Sequence, residues 1–347
     1  MENIMEKIKN LKLKNKNKKE IPIFFASDDN YIPFLEVALK SLIKNASTRY
    51  NYSINILNTG IKEENQIIIK SLERKNVNIH FRDISSAISD IKNNFKNIYH
   101  YSLASYYRLF IESLFPQYNK VIYLDCDIVV LGDISKLYNV NLGNNLVGAV
   151  PDQIVSITPI FQEYTKVVLG IDCRKYFSSG ILLMNLAKFR KEKIQDKFTY
   201  LLSKYNFDTV APDQDYFNVL CKNRVKYLPN GWNKQAIPVS LEGDLHIMHY
   251  ALYKKPWQYD DVLEQHYFWE YAKDCLSYDK ILEIKADFTD VKREQKEKAN
   301  AEIIVHAEKI INSDTTFYKT LYGEEKSQYL LDEISLFSLS TEDKVEI

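Results

Sequence analysis

From residue 21 the chain alternates short apolar runs with longer segments whose apolar residues recur at helical spacing. IPIFFA at 21–26 reads as a compact apolar strand, Pro33 opens a helical segment over PFLEVALKSLIKN, and SINILN is a strand again. ENQIIIKSLERK then predicts a helix, VNIHFRD a strand and SYYRLFIESLF a helix. KVIYLDCDIVVL follows as one nearly continuous strand, apolar enough to be buried on both faces. Downstream, NNLVGAV and SSGILLMN read as strands, PDQDYFNVLC as the start of a helix and LHIMHY as a short strand. Such alternation predicts an α/β fold, a mostly parallel sheet covered by helices, reaching to about residue 262.

The pattern changes at both ends. Residues 1–20 carry seven lysines against three glutamates, with Ile4, Ile8 and Leu11 on one face of a short basic amphipathic helix or frayed extension. Residues 263–347 are charge-rich and helical, with KREQKEKANAEIIVHAEKIINS the clearest helix, and are expected to form an appended region. The chain therefore divides into a basic extension at 1–20, a domain at 21–262 and a helical extension at 263–347.

Charge and cysteines narrow the function. The 46 basic residues balance the 46 acidic ones, so no global field favours nucleic acid as a partner. Cys126, Cys173, Cys221 and Cys275 form no CxxC pair, which predicts reduced thiols rather than a disulfide framework or zinc cluster. With no apolar run long enough to span a bilayer, the expected location is cytoplasmic, with a peripheral contact at the cytoplasmic membrane face left open.

Chemistry concentrates in YLDCDIVV, where Asp125 and Asp127 interrupt an otherwise apolar run. Burying carboxylates there is costly without a partner, and at i and i+2 both face one side, close enough to approach one divalent cation. FFASDDNY ends the first strand in a polar loop. In an open α/β sheet that position can hydrogen-bond a nucleotide through Asp28, Asp29 and Asn30, although such strings also arise as simple helix caps. HYALYKKPW offers His249 as a nitrogen ligand and Lys255 as a cation for a diphosphate, while His246 has the opposite strand parity.

Taken in order, FFASDDNY, YYRLFI, VIYLDCDIVVLGDI, YFSSGILLMN, PDQDYFN and HYALYKKPW resemble the family-8 retaining glycosyltransferases over about residues 21–262. The resemblance implies a GT-A fold, a Rossmann-like mixed and mostly parallel sheet with helices on both faces. It further implies UDP-glucose or UDP-galactose as donor and a saccharide, glycolipid or glycoprotein as acceptor. By the same resemblance Asp125, Asp127 and His249 would hold manganese, or magnesium. Ala26, Asp28, Asn30 and Tyr31 would hold uridine, Arg108 would sit by the donor and Lys255 would contact the diphosphate. Asp152, Asp213 and Gln214 would face the transferred sugar. Gln214 is a poor nucleophile, so front-face attack is expected, with Asp213 or Asp152 as the alternative nucleophile.

Two departures stand out. Ser178-Ser179-Gly180 replaces the Asn-containing sequence of many relatives, so the sugar contact passes to the shorter Ser178 hydroxyl or to water. Leu252 stands where glycogenin-like members have Gly, which demands a backbone that Leu can adopt. A non-catalytic UDP-sugar-binding or scaffold protein is the competing reading, and the intact Asp125, Asp127 and His249 trio speaks against it.

Overall fold

The computed structural model describes residues 18–89, 103–252 and 254–322. The basic extension at 1–20, read as a short helix or a frayed end, falls almost entirely outside the described residues, as does everything beyond residue 322. Ten strands are described: β1 (Glu20–Ala26), β2 (Asn51–Asn58), β3 (Val77–Asp83), β4 (Val121–Leu124), β5 (Ile128–Val130), β6 (Val147–Ala149), β7 (Ile181–Met184), β8 (Val225–Tyr227), β9 (Lys234–Gln235) and β10 (Ile247–His249). Seven of them form one sheet in the order β3-β2-β1-β4-β7-β6-β8. β7 runs antiparallel to both β4 and β6, and the remaining pairings are parallel.

The central strands are apolar on both faces because they feed two cores. In β1, Ile21, Ile23 and Phe25 enter one hydrophobic cluster and Phe24 enters the other. In β4 and β7, Ile122, Leu124, Ile181 and Leu183 join the first, while Val121, Tyr123, Leu182 and Met184 join the second. A period of two on a doubly covered sheet gives this division. The helix Ile32–Asn45, with Pro33 in its first turn, supplies Leu35, Leu39 and Leu42 to one layer. The helices Ile194–Lys204 and Pro212–Leu220 supply Phe198, Leu201 and Phe217 to the other.

Two expectations are corrected. The single strand expected over KVIYLDCDIVVL breaks at 125–127: β4 stays in the large sheet and β5 leaves it for a second, three-stranded sheet in the order β5-β10-β9. The backbone here is satisfied across the break, since Asp125 N–H donates to Gly180 O and Tyr250 N–H to Asp127 O. The segment expected as a helix around YYRLFI is mainly a 3₁₀ run, Leu103–Phe110, followed by one α-turn, Ile111–Leu114.

The expected C-terminal helices are present and pack onto the rest of the chain. On the helix Asp290–Ile311, Ile303, Ala307 and Ile310 lie at i, i+4 and i+7 and are buried in the main core, joined there by Phe317 and Leu321. Phe317 packs against Phe207 and Tyr216, with ring centroids 4.1 and 4.9 Å away. Phe268, Tyr271 and Ile281 share a third cluster with Phe34, Val129 and Trp257, and buried Glu36 accepts the N–H groups of Leu276 and Ser277. Among the described residues no helix is long and apolar enough to cross a membrane.

Candidate active site

The break between β4 and β5 places Asp125, Cys126 and Asp127 at the carboxyl end of β4, next to the end of β1, where open α/β sheets gather ligands. Cys126 turns away, its thiol donating to Ala26 O, so the two acids share the opposite side. β10 pairs with β5 in a register that sets His249 against Ile128, and thus beside both acids. Ligand atoms of Asp125, Asp127 and His249 all lie within 4.8 Å of one another.

The trio suits a dication by its own chemistry. His249 Nδ1 lies 2.8 Å from Asn233 Oδ1, a contact that fixes the ring with Nε2 turned toward the two acids. That Nε2 is 3.2 Å from Asp127 Oδ1. Each carboxylate already draws a cation: Arg108 Nη2 lies 3.0 Å from Asp125 Oδ1, and Lys255 Nζ 2.5 Å from Asp127 Oδ2. Burial alone would raise the pKa of Asp127, but the facing Lys255 and His249 override it and hold the carboxyl well below the usual range. Two oxygens and one imidazole nitrogen at a water-accessible cleft make a donor set for a divalent cation.

Gly180 keeps this cluster open. A Cβ there would come within 2.5 Å of His249 Cε1 and 2.7 Å of Asp125 Oδ2. Its backbone is not in the left-handed region, so Gly180→Ala tests close approach and nothing else. The substitution is expected to weaken metal-dependent nucleotide binding about tenfold or more, the scale on which disturbing a ligand's support acts, while metal-free nucleotide affinity changes little. Calorimetry with and without manganese reads both, and equal affinities for the two proteins would remove Gly180 from the site.

One cleft collects nearly all the residues expected from the sequence: Ala26, Asp28, Tyr31, Arg108, Asp125, Asp127, Asp152, Ser178, Asp213, Gln214, His249 and Lys255. Asn30 is the exception. It is exposed outside the cleft wall, and its backbone N–H donates to Asp28 Oδ1. Asp28 also takes the N–H of Tyr31, so one of its oxygens caps a turn and the cleft retains the other. Asp29 is structural, accepting from Lys62 N–H and the Asn65 amide. Tyr31 stands edge-on to Phe34, which stacks on Trp257 at 3.8 Å, so the Pro-Trp turn after Lys255 braces the loop that carries Asp28 and Tyr31.

On the floor, Gln214 is fixed at both ends of its amide: Oε1 accepts from Ser179 N–H at 2.8 Å and Nε2 donates to Asp152 Oδ2 at 3.0 Å. The other oxygen of Asp152 caps the helix Gln153–Ile157. Asp213 accepts from Ser179 Oγ at 3.0 Å and faces Arg108 Nε at 3.3 Å. Burial raises the pKa of both Asp152 and Asp213. Arg108 is buried too; burial opposes its charge, and the Asp125 and Asp213 carboxylates more than offset that.

Sequence reasoning missed Ser179 and Asn233. Ser179 joins Asp213, Gln214 and Arg108, whose Nη1 donates to the Ser179 carbonyl. Asn233 orients His249 from β9's approach, and no local pattern in NGWN marks it. Leu252 resolves the second departure: it sits at φ +62°, in the left-handed region that Gly would favour, so the chain keeps the backbone and bears the strain.

Residues 22–261 match the description of Glycosyl transferase family 8. The chain belongs to this family. A putative glycosyltransferase of Haemophilus influenzae is 34% identical over 212 residues, covering 61% of this chain and 62% of that protein. Glycosyltransferase GlyE of Streptococcus pneumoniae is 29% identical over 268 residues, covering 72% and 60%. The chain thus spans about three fifths of the length of these relatives. Among solved structures, the galactosyltransferase LgtC with donor and acceptor sugar analogues superposes with a TM-score of 0.61 at 27% identity, covering 74% of this chain and 96% of that one. The sheet order accords with the GT-A fold of such neighbours, and the family match ends where the C-terminal helices begin.

Proposed function

We propose that the protein transfers a hexose, glucose or galactose, from its UDP-sugar to a saccharide, glycolipid or glycoprotein acceptor, with retention of anomeric configuration and dependence on manganese or magnesium. The observation that carries this reading is the convergence in one cleft of the Asp125, Asp127 and His249 trio with the Asp28 and Tyr31 loop and the Asp152, Asp213 and Gln214 floor. A dication in the trio would neutralise the diphosphate and stabilise the negative charge that grows on UDP as the glycosidic bond lengthens. Tyr31 and the free oxygen of Asp28 are suited to uracil and ribose. Lys255, held by Asp127 and by Tyr250 O, needs only to exchange a carboxylate for a phosphate oxygen.

The floor favours front-face attack over a covalent intermediate. Asp213 is 1% exposed and engaged by Arg108 and Ser179, and both oxygens of Asp152 accept hydrogen bonds. Neither carboxylate is free to act as a nucleophile, whereas Gln214 presents a fixed amide beside the sugar position. The four cysteines are free thiols, in keeping with a reducing cytoplasm.

Calorimetric titration with UDP, with and without manganese, followed by NMR of the linkage made from UDP-glucose and UDP-galactose, tests the reading. Metal-dependent UDP binding and an α-linked product are expected. A β-linked product would refute retention, and absence of UDP binding would refute the donor assignment.

A further inference from the structure

Among the described residues three Lys and Arg side chains line the cleft: Arg108, Lys255 and Lys296. The first two are spoken for, Arg108 by Asp125 and Asp213 and Lys255 by Asp127. Lys296 differs. Among the described residues it pairs with no carboxylate, and its Nζ donates to the neutral Gln258 Oε1. Burial and the nearby Lys255 ammonium push its pKa down to about 7, with no acid acting against them. Two ammonium groups converging on one half-buried cleft repel each other unless an anion lies between them.

Position is the second argument. Lys296 rides on the helix Asp290–Ile311, two turns before Ile303, whose burial with Ala307 and Ile310 anchors the helix in the core. One turn after Lys296, Asn300 lines an adjoining hollow together with Asp152, Gln214, Leu252 and Ile303. The lysine therefore sits on a rigid, docked element that closes one side of the cleft, in a part of the chain that the family match at 22–261 does not reach.

We propose that Lys296 is a second phosphate-binding cation of the donor site, acting with Lys255 on the diphosphate of the bound nucleotide. This rests on the UDP-sugar reading above. The bound diphosphate supplies the counter-charge that the fold withholds from Lys296, so the C-terminal helix takes part in donor binding and is more than scaffolding.

The test compares UDP and uridine as probes of the full-length chain, in manganese, for the unaltered protein, Lys296→Gln and Lys296→Arg. Gln keeps a hydrogen-bond donor facing Gln258 and removes only the charge. Lys296→Gln is expected to weaken UDP binding about tenfold, the scale of one charge-assisted hydrogen bond. Uridine affinity should stay unchanged, and Lys296→Arg should restore most of the UDP affinity. UDP binding that Lys296→Gln leaves intact, or equal weakening of UDP and uridine, would overturn this inference alone. Failure of the unaltered chain to bind UDP would overturn the donor reading along with it.

Discussion

Asp127→Asn is expected to lower the rate of sugar transfer by about a hundred- to a thousandfold, the scale on which a lost electrostatic group acts on a transition state. The change keeps the shape of the side chain and removes the charge that both a dication and Lys255 require. It also leaves Lys255, only 6% exposed, without its carboxylate, and stranding one member of a buried pair destabilises a fold. Here the Tyr250 carbonyl still accepts from Lys255, and the Asn oxygen can replace the lost acceptor, so the cost is expected to be about 1–3 kcal/mol. The folded state survives such a loss more readily than catalysis does. Initial rates at saturating donor, set beside a denaturation curve, separate the two effects. Unchanged transfer by Asp127→Asn, or full wild-type activity in excess chelator, would show that the carboxylates are structural.

The largest effect on stability is expected from truncation before Asp290. Ile303, Ile310, Phe317 and Leu321 are each no more than 5% exposed, and burying side chains of this size contributes roughly 1.5–3 kcal/mol apiece. Four such losses are comparable with the whole stability of a typical domain, about 5–15 kcal/mol. Removal also exposes Phe207 and Tyr216, which pack on Phe317. The truncated chain is expected to be insoluble or to unfold without a cooperative transition. Recovery of a soluble protein with an unaltered denaturation midpoint would mean that the helix is dispensable after all.

That outcome marks where the sequence was and was not legible. Strands β1, β2 and β3 and the helix Ile32–Asn45 follow from apolar runs and a Pro at a helix start, signals that are local. The acids in YLDCDIVV were legible because charge in an apolar run demands a reason. The break they sit in was not, since the apolar residues on both sides read as one strand and nothing local says that β5 joins another sheet. β10 was legible in LHIMHY, but a strand as short as β9 carries too few residues for a period of two to register. The stripe Ile303, Ala307, Ile310 announces an amphipathic helix but not which surface it covers. Asn233 and Ser179 matter through partners distant in sequence, which composition and spacing do not encode.

The seam at residues 125–127 makes the ligand cluster a product of two sheets. Asp125 is tied to the large sheet through Gly180, Asp127 to the small one through Tyr250, and Asp127 meets Lys255 across a sequence separation of 128 residues. A partly folded intermediate with only the larger sheet in place would hold one carboxylate and lack the other ligands in register. A dication held by all three ligands would therefore bind only the finished molecule, and by binding there alone would pull the folding equilibrium toward the fully assembled state.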